Sequence, residues 1–374
     1  MTTQTRNVYD AAHPAPELRR LPRPDYSKHP AYGGAFPKPG IGLRLRALMR
    51  FLPWFGLVVG KKVLLFDRLP VLEDNKGPMS GGIGQRVVAT RRYAPLIVRG
   101  LLGQITGFVF RRRSEQLAGG AAAIYETVVR DGIAPTWLAP AEVEQIKKQL
   151  EQPMADLIAR RAAAKVRTFE GNQTWLNRRQ AGALYSLLND VFARRGIRAA
   201  ASAYLHRPVE VKGMVLQIND KSDSYQHEKF ADVGIPDPAT NYMHCDTSEE
   251  IMKCIIYLTD VTVAIGPFSY MRGSNRIPVG FFEGLVRRAN DRAGLSGYKP
   301  ETRRLFMALP GALRHKSMFG SDLVDGTPEA QAVVDNEYAF ISADGNAALF
   351  DNLGVHRGGL VREGERRVLI ANLG

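Results

Sequence analysis

After Ala201 the spacing of apolar residues changes from helical to alternating, and no other feature constrains this chain as strongly. The segments VEVKGMVLQIN, IMKCIIYLTDV, GPFSYMRG, YAFISADGNAALFDN and RRVLIANLG are short, rich in β-branched and aromatic residues, and separated by turn residues. That pattern predicts the strands of an antiparallel sandwich. The stretch from Gly280 to Glu337 interrupts the series and carries a helical pattern, FFEGLVRRANDRAG. An insertion of this length between strands is expected to be functional, here as a substrate cap. Upstream, three helices are predicted. The first lies in SEQLAGGAAAIYETVVRDG and stops at Gly132, and the second has a stripe of Val143, Ile146, Leu150, Met154 and Ile158. The third runs from about Arg178 to Arg194 with Ala181, Leu184, Leu188 and Val191 on one face.

One of the seven histidines sits in His244-Cys245-Asp246. Residues i and i+2 of a strand project to the same side, so His244 and Asp246 can offer a nitrogen and an oxygen to one ion. A third ligand must come from elsewhere. His356, in FDNLGVHRGG, follows another strand and lies 112 residues later. Two histidines and one carboxylate on one side of an ion leave three positions open, the facial arrangement of non-haem iron oxygenases. A 2-oxoglutarate chelates two of them, dioxygen takes the third, and a cation is needed for the distal carboxylate. Arg366 or Arg367, ten or eleven residues after His356, supplies a fork of the right shape. His227 and Glu228 are adjacent and would point to opposite faces of a strand, so His227 reads as a loop or pocket residue. His13, His29, His206 and His315 have no partner spacing.

These motifs, in this order, resemble the phytanoyl-CoA dioxygenase family. YETVVRDGIAPTWLAPAEVEQIKKQL is similar to the family's opening segment, and NYMHCD stands in the place of its first ligand motif. YLTDVTVAIGPFSYMRGSNR resembles the strand and turn that follow, and FDNLGVHRGGLVREGERRVLIANL resembles the distal histidine with its arginine. The likeness spans about residues 116 to 374, apart from the 280 to 337 insertion. It implies a mainly β fold with flanking helices (α+β), a double-stranded β-helix or cupin-like jelly roll. It also implies Fe(II), 2-oxoglutarate and O2, and hydroxylation of a small-molecule or lipid-like substrate with release of succinate and CO2. Carried over residue by residue, it makes His244, Asp246 and His356 the iron ligands and Arg366 the co-substrate anchor. Gln217 and Asn219, alternating with Val215, are expected to face the pocket or to form a polar pair at a sheet edge. Met243, Arg272 and Asn275 depart from the family pattern, and the loop after His356 is one residue shorter. A slip of one residue flips strand side chains, so the choice between Arg366 and Arg367 stays open. Asp246 itself disfavours the halogenating variant of this chemistry.

The formal net charge is +14, and residues 1–114 account for all of it, with 20 Lys and Arg against 6 Asp and Glu; the remainder balances at 31 against 31. Such a block seeks a polyanionic surface. In IGLRLRALMRFLPWFGLVVGKKVLLFDRL, residues 41–69, the cations are interleaved with Leu, Met, Phe51, Trp54 and Phe55. Two readings follow: a helix packed on the catalytic domain with its arginines in water, or a helix lying in a membrane interface. The charges interrupt it too often for a bilayer span, and Arg99 and three glycines do the same for residues 94–110. Nucleic acid is disfavoured, because no base-stacking aromatics or recognised motif accompany the charge. The proline-rich residues 1–40 should form an extended arm. The domain division expected is a basic extension over 1–114 and an oxygenase domain over 115–374. Cys245 and Cys254, in one apolar stretch, read as buried thiols. With no secretory signal, the expected location is cytoplasmic, peripheral to the inner membrane surface if the interfacial reading holds. A rival of another class is a non-catalytic jelly-roll module with a structural metal and a basic binding extension.

Overall fold

The computed structural model describes residues 17–20, 39–63, 117–165, 170–221, 243–244, 246, 251–276, 281–295, 300–315 and 335–374. The expectations for residues 94–110, for His227 and Glu228 and for Cys245 lie outside these residues. Ten strands are described: β1 (Glu17–Arg20), β2 (Ile133–Trp137), β3 (Gln173–Leu176), β4 (Val211–Asp220), β5 (Met252–Tyr257), β6 (Phe268–Met271), β7 (Glu337–Ile341), β8 (Asn346–Asp351), β9 (His356–Gly358) and β10 (Glu365–Leu373). They form two antiparallel sheets, ordered β2-β8-β5-β10-β4-β3 and β1-β7-β6-β9. The chain lays β4 and β5 in the larger sheet, β6 and β7 in the smaller, then alternates through β8, β9 and β10. His244 pairs with His356 at the open edge of β9 and completes the smaller sheet. Four central strands on each side, with the chain crossing between them in this order, make a double-stranded β-helix, as the strand pattern and the resemblance imply.

Strand parity divides the larger sheet into two chemically distinct faces. Ile255, Tyr257, Ala348, Phe350 and Val368 point toward the smaller sheet and pack on Phe268, Tyr270 and Phe340. Cys254, Ile256, Leu349, Leu369 and Ala371 point the other way, into a core shared with helices. Burial on both faces explains why these strands read as nearly continuous apolar runs. Tyr257 ties the layers together: its hydroxyl donates to the Phe340 carbonyl at 2.7 Å and accepts from the Phe268 N–H at 3.0 Å.

The covering helices are α2 (Gly119–Asp131), α3 (Pro140–Ala163), α4 (Gly182–Arg194) and α5 (Ile197–Leu205). Helix α2 ends where expected, on Gly132 with φ of 81°, a left-handed turn that glycine makes without strain. In α3, Pro140 opens the helix and the Glu142 carboxylate accepts the Ala139 N–H. Its apolar stripe differs from expectation at the far end: Leu157 is buried and Ile158 is exposed, after Pro153 within the helix.

The first third of the chain joins the rest of the fold at two places. Strand β1 adds to β7, so part of the proline-rich arm extends the smaller sheet. Helix α1 (Ile41–Val63) packs on α6 (Phe281–Ala293) and α7 (Pro300–Ala308) of the insertion, which α8 (Gly311–His315) follows. Ala47, Phe51 and Val58 share a core with Leu285, Val286, Ala289 and Phe306. The boundary expected at residue 114 is therefore crossed by both packing and strand pairing.

Arg161, buried near the end of α3, donates to Asn172, to the Ile218 carbonyl at 2.8 Å and to the Asp220 carboxylate at 2.8 Å. Removing a buried cation strands its acceptors. Arg161→Ala should cost about 3–5 kcal/mol in chemical denaturation.

Candidate metal centre

His356 is placed by backbone pairing. Its N–H donates to the His244 carbonyl at 2.8 Å, and the His244 N–H returns the bond to the His356 carbonyl at 3.0 Å. Asp246 is held in the same way, its N–H donating to the Asn352 carbonyl at 3.0 Å. Residues 112 apart in sequence thus come opposite each other, and the two imidazole centroids lie 4.6 Å apart. Asp246 Oδ1 is 3.6 Å from His244 Nε2, and Asp246 Oδ2 is 3.5 Å from His356 Nε2. The three donor atoms all lie within 4.8 Å of one another.

The His356 ring is fixed by more than the strand. Its Nδ1 donates to the Gly354 carbonyl at 2.8 Å, which turns Nε2 toward Asp246. Phe350, Phe268 and Tyr270 surround the ring, with centroids at 5.2, 5.7 and 6.2 Å. The loop before His356 has no room for a side chain at Gly354, where a Cβ would meet the Tyr270 hydroxyl at 1.7 Å. That hydroxyl donates to the Asp351 carbonyl at 2.9 Å, so the loop and the aromatic wall are locked together. An imidazole oriented through its second nitrogen, beside a second imidazole and a carboxylate, is a donor set suited to a divalent transition metal.

Burial would push the Asp246 carboxyl up, but His356, Lys253 and His244 pull it well below the ordinary carboxylate range. Lys253 was not singled out in the sequence. It donates to Asp246 Oδ2 at 2.5 Å from β5, where it lies on the inward face with Ile255 and Tyr257. Its signal was there: one lysine within the apolar run IMKCIIY, at a position whose parity points inward.

The two arginines separate by parity. Arg366 alternates with Val368, faces the interior and is buried. It donates to the Asn219 side-chain oxygen at 3.0 Å and to the Gly359 carbonyl at 3.2 Å, both uncharged acceptors. Arg367 projects to the other face of β10, half exposed, and its Nε donates to the Glu365 carboxylate at 2.5 Å. Asn219 lies directly across from Arg366 and Gln217 across from Val368, so both are on the interior face. A Cβ on Gly358 would sit 2.8 Å from Arg366 Nη2, which places the guanidinium against β9 two residues beyond His356. That step along a strand is about 6.6 Å.

No family model matches the chain, and no curated protein matches it. Among solved structures, AviO1 from Streptomyces viridochromogenes is 16% identical over 69% of this chain and 96% of its own, with a TM-score of 0.38. EctD from S. alaskensis, solved with 2-oxoglutarate and 5-hydroxyectoine, is 14% identical over 70% of this chain and 78% of its own, with a TM-score of 0.39. HygX from Streptomyces hygroscopicus, solved with nickel and 2-oxoglutarate, is 15% identical over 69% of this chain and 87% of its own, with a TM-score of 0.38. At this level of overlap, the fold assignment rests on the chain's own strand order.

Gly354→Ala should weaken divalent-metal binding about 10- to 100-fold, because the displaced loop carries the carbonyl that orients His356. Titration calorimetry with Mn(II) would read this, with Gly120→Ala, whose Cβ meets nothing within 4 Å, as the unaffected control. In metal-free protein a depressed Asp246 pKa stabilises the fold fully above the unfolded value near 3.8, a contribution lost as pH falls through the folded value. The gap in thermal midpoint between the protein and Asp246→Asn, measured with chelator, should be present at about pH 5 and narrow as pH falls below about 4.

Proposed function

We propose that this chain is an Fe(II)- and 2-oxoglutarate-dependent oxygenase, with His244, Asp246 and His356 holding the metal and Arg366 holding the co-substrate. The observation that carries the reading is the pairing of a facial donor set with a buried guanidinium two strand residues away on the same interior face. An ion held by three protein atoms keeps three positions open. When bound, the iron supplies dioxygen activation coupled to decarboxylation of 2-oxoglutarate to succinate and CO2, one oxygen atom entering succinate and the other being available to oxidise a substrate C–H bond.

The chain's own residues account for the rest. Arg366 is inward and forked, matched to a carboxylate at the far end of a five-carbon diacid whose other end reaches the metal. Asn219 steadies that fork through its side-chain oxygen. Gly358 leaves the space that the guanidinium fills. Phe268, Tyr270 and Phe350 keep one side of the His356 ring dry and confine it to a single orientation. Lys253 holds the Asp246 oxygen that faces His356 and balances its charge within the barrel. The substrate we favour is a small molecule or a lipid-like one, hydroxylated at carbon.

Anaerobic addition of Fe(II) and 2-oxoglutarate should give a weak visible charge-transfer band, which Asp246→Ala removes. Arg366→Ala should raise the 2-oxoglutarate Kd by roughly 30-fold or more, the loss of a buried charged partner, whereas Arg367→Ala should leave it unchanged. A featureless spectrum in the wild-type protein, with metal bound, would support the structural-metal module instead.

A further inference from the structure

Helix α1 has two apolar faces, and among the described residues only one of them is packed against other elements. At about 100° per residue, Ala47, Phe51 and Val58 lie on one side and are buried against α6 and α7. Ile41, Leu45, Met49 and Leu52 fall in a sector roughly 80° wide on the far side. Their exposures are 78%, 56%, 75% and 53%. Four large apolar side chains in one row, all more than half exposed, are not the scattered singles of an ordinary surface. Phe282 of α6, 48% exposed, continues the apolar surface through Phe55, whose ring it meets edge-on at 5.8 Å. Phe55 in turn stacks on Phe51 at 5.4 Å, which anchors this edge to the core beneath.

The border of the row is cationic. Exposed Arg46 lies on one side of it and exposed Arg44 on the other, where the Arg44 Nε donates to the Pro39 carbonyl. Arg50 is already engaged, donating to the Ala293 carbonyl at 2.7 Å and fastening α1 to α6. The helix contains five basic residues and no acidic one. It lies in the stretch of chain that carries the entire net charge of +14. A second copy meeting this face symmetrically would bring its own arginines against Arg44 and Arg46, so self-association is opposed by like charge. An anionic lipid headgroup region complements both parts, cations at the headgroups and apolar row below them. Among the described residues no helix is long and apolar enough to cross a membrane, so the contact is a helix lying in the interface.

We propose that the exposed face of α1, with Phe282 at its edge, is a docking surface for anionic phospholipid membranes. Because α1 already has a core of its own with α6 and α7, the face is presented on a pre-folded platform and loses little order on binding. This reading does not depend on the metal assignment.

The test is co-sedimentation of the full chain with large vesicles of phosphatidylcholine alone or mixed equally with phosphatidylglycerol. The protein should partition onto the mixed vesicles, and high salt should weaken binding. Leu45→Gln with Met49→Gln should lower the partition coefficient by roughly tenfold or more, as expected for two apolar side chains withheld from burial. Arg44→Gln with Arg46→Gln should lower it about thirtyfold on mixed vesicles and have no effect on phosphatidylcholine. The unfolding midpoint of Leu45→Gln/Met49→Gln should match that of the parent protein. A lowered midpoint would mean that another part of the chain covers the face, and the proposal would fail. It would fail equally if the variant partitioned like the parent, if the parent bound neither vesicle, or if sedimentation showed a dimer that the Gln variant dissolves.

Discussion

The reciprocal backbone pair between His244 and His356 is the contact on which the rest of the site depends. Two residues that exchange both N–H···O bonds stand about 5.5 Å apart at their Cα atoms, and this pair joins segments 112 residues apart. Asp246, two residues beyond His244, then falls on the same side without adjusting its own rotamer to find the others. The cluster is set by main-chain hydrogen bonds and only trimmed by side chains. That order of control suits a metal site, because ligand positions tied to a sheet are held more tightly than positions on a loop. The cost is electrostatic: the half-buried carboxylate is kept in its charged form by the two histidines and Lys253 around it.

Parity does the remaining work. Along β10, the residues pointing inward meet the opposite sheet and those pointing outward meet helices α2 to α5. The same alternation that packs Val368 against Phe268 and Leu369 against the helical core also turns Arg366 inward and Arg367 outward. It applies again on β5, where Lys253 shares its face with Ile255 and Tyr257 while Cys254 goes to the helical side. Arg366 is near enough to Tyr257 for its charge to oppose the burial that raises the tyrosine hydroxyl. Polar chemistry is thereby confined to one interior lined by aromatic rings, where a charge interaction is stronger than in water.

The period-two pattern made β4, β5, β6, β7, β8 and β10 legible, because each is a run of five or more residues or is flanked by strong turn residues. It missed β1, β2, β3 and β9. Ile133–Trp137 contains a proline and sits directly after a helix, and His356–Gly358 is three residues ending in a glycine pair, too short to show a period. The donor set was readable because His-x-Asp has only one geometry on a strand, yet nothing in the spacing of His356 could say what it pairs with. The arginine ambiguity was one of register, and the pairing of Arg366 with Asn219 turns Arg366 to the interior face and Arg367 to the other. Ile158 was misread by one residue: at about 100° per residue Leu157 falls between Ile146 and Leu150, whereas Ile158 lies about 60° beyond Val143, at the edge of the stripe.

Of the two readings of α1 in the sequence, the structure shows the packed helix, and that packing leaves geometric room for the proposed interfacial contact. A helix packed on one side by two others needs an apolar arc of little more than a third of its circumference, and Ala47, Phe51 and Val58 supply that arc. Selection for folding alone would leave the far side polar, since leucine and methionine in water add nothing to stability there. The opposite is found, with Ile41, Leu45, Met49 and Leu52 in the open and charge only at the borders. The inner face of the helix answers to α6 and α7, and the outer face, apolar with cations at its borders, is the one proposed to meet an anionic membrane surface. Because the inner face alone fixes the helix, the outer one can be altered without loosening the core, and its role can be measured separately from the fold.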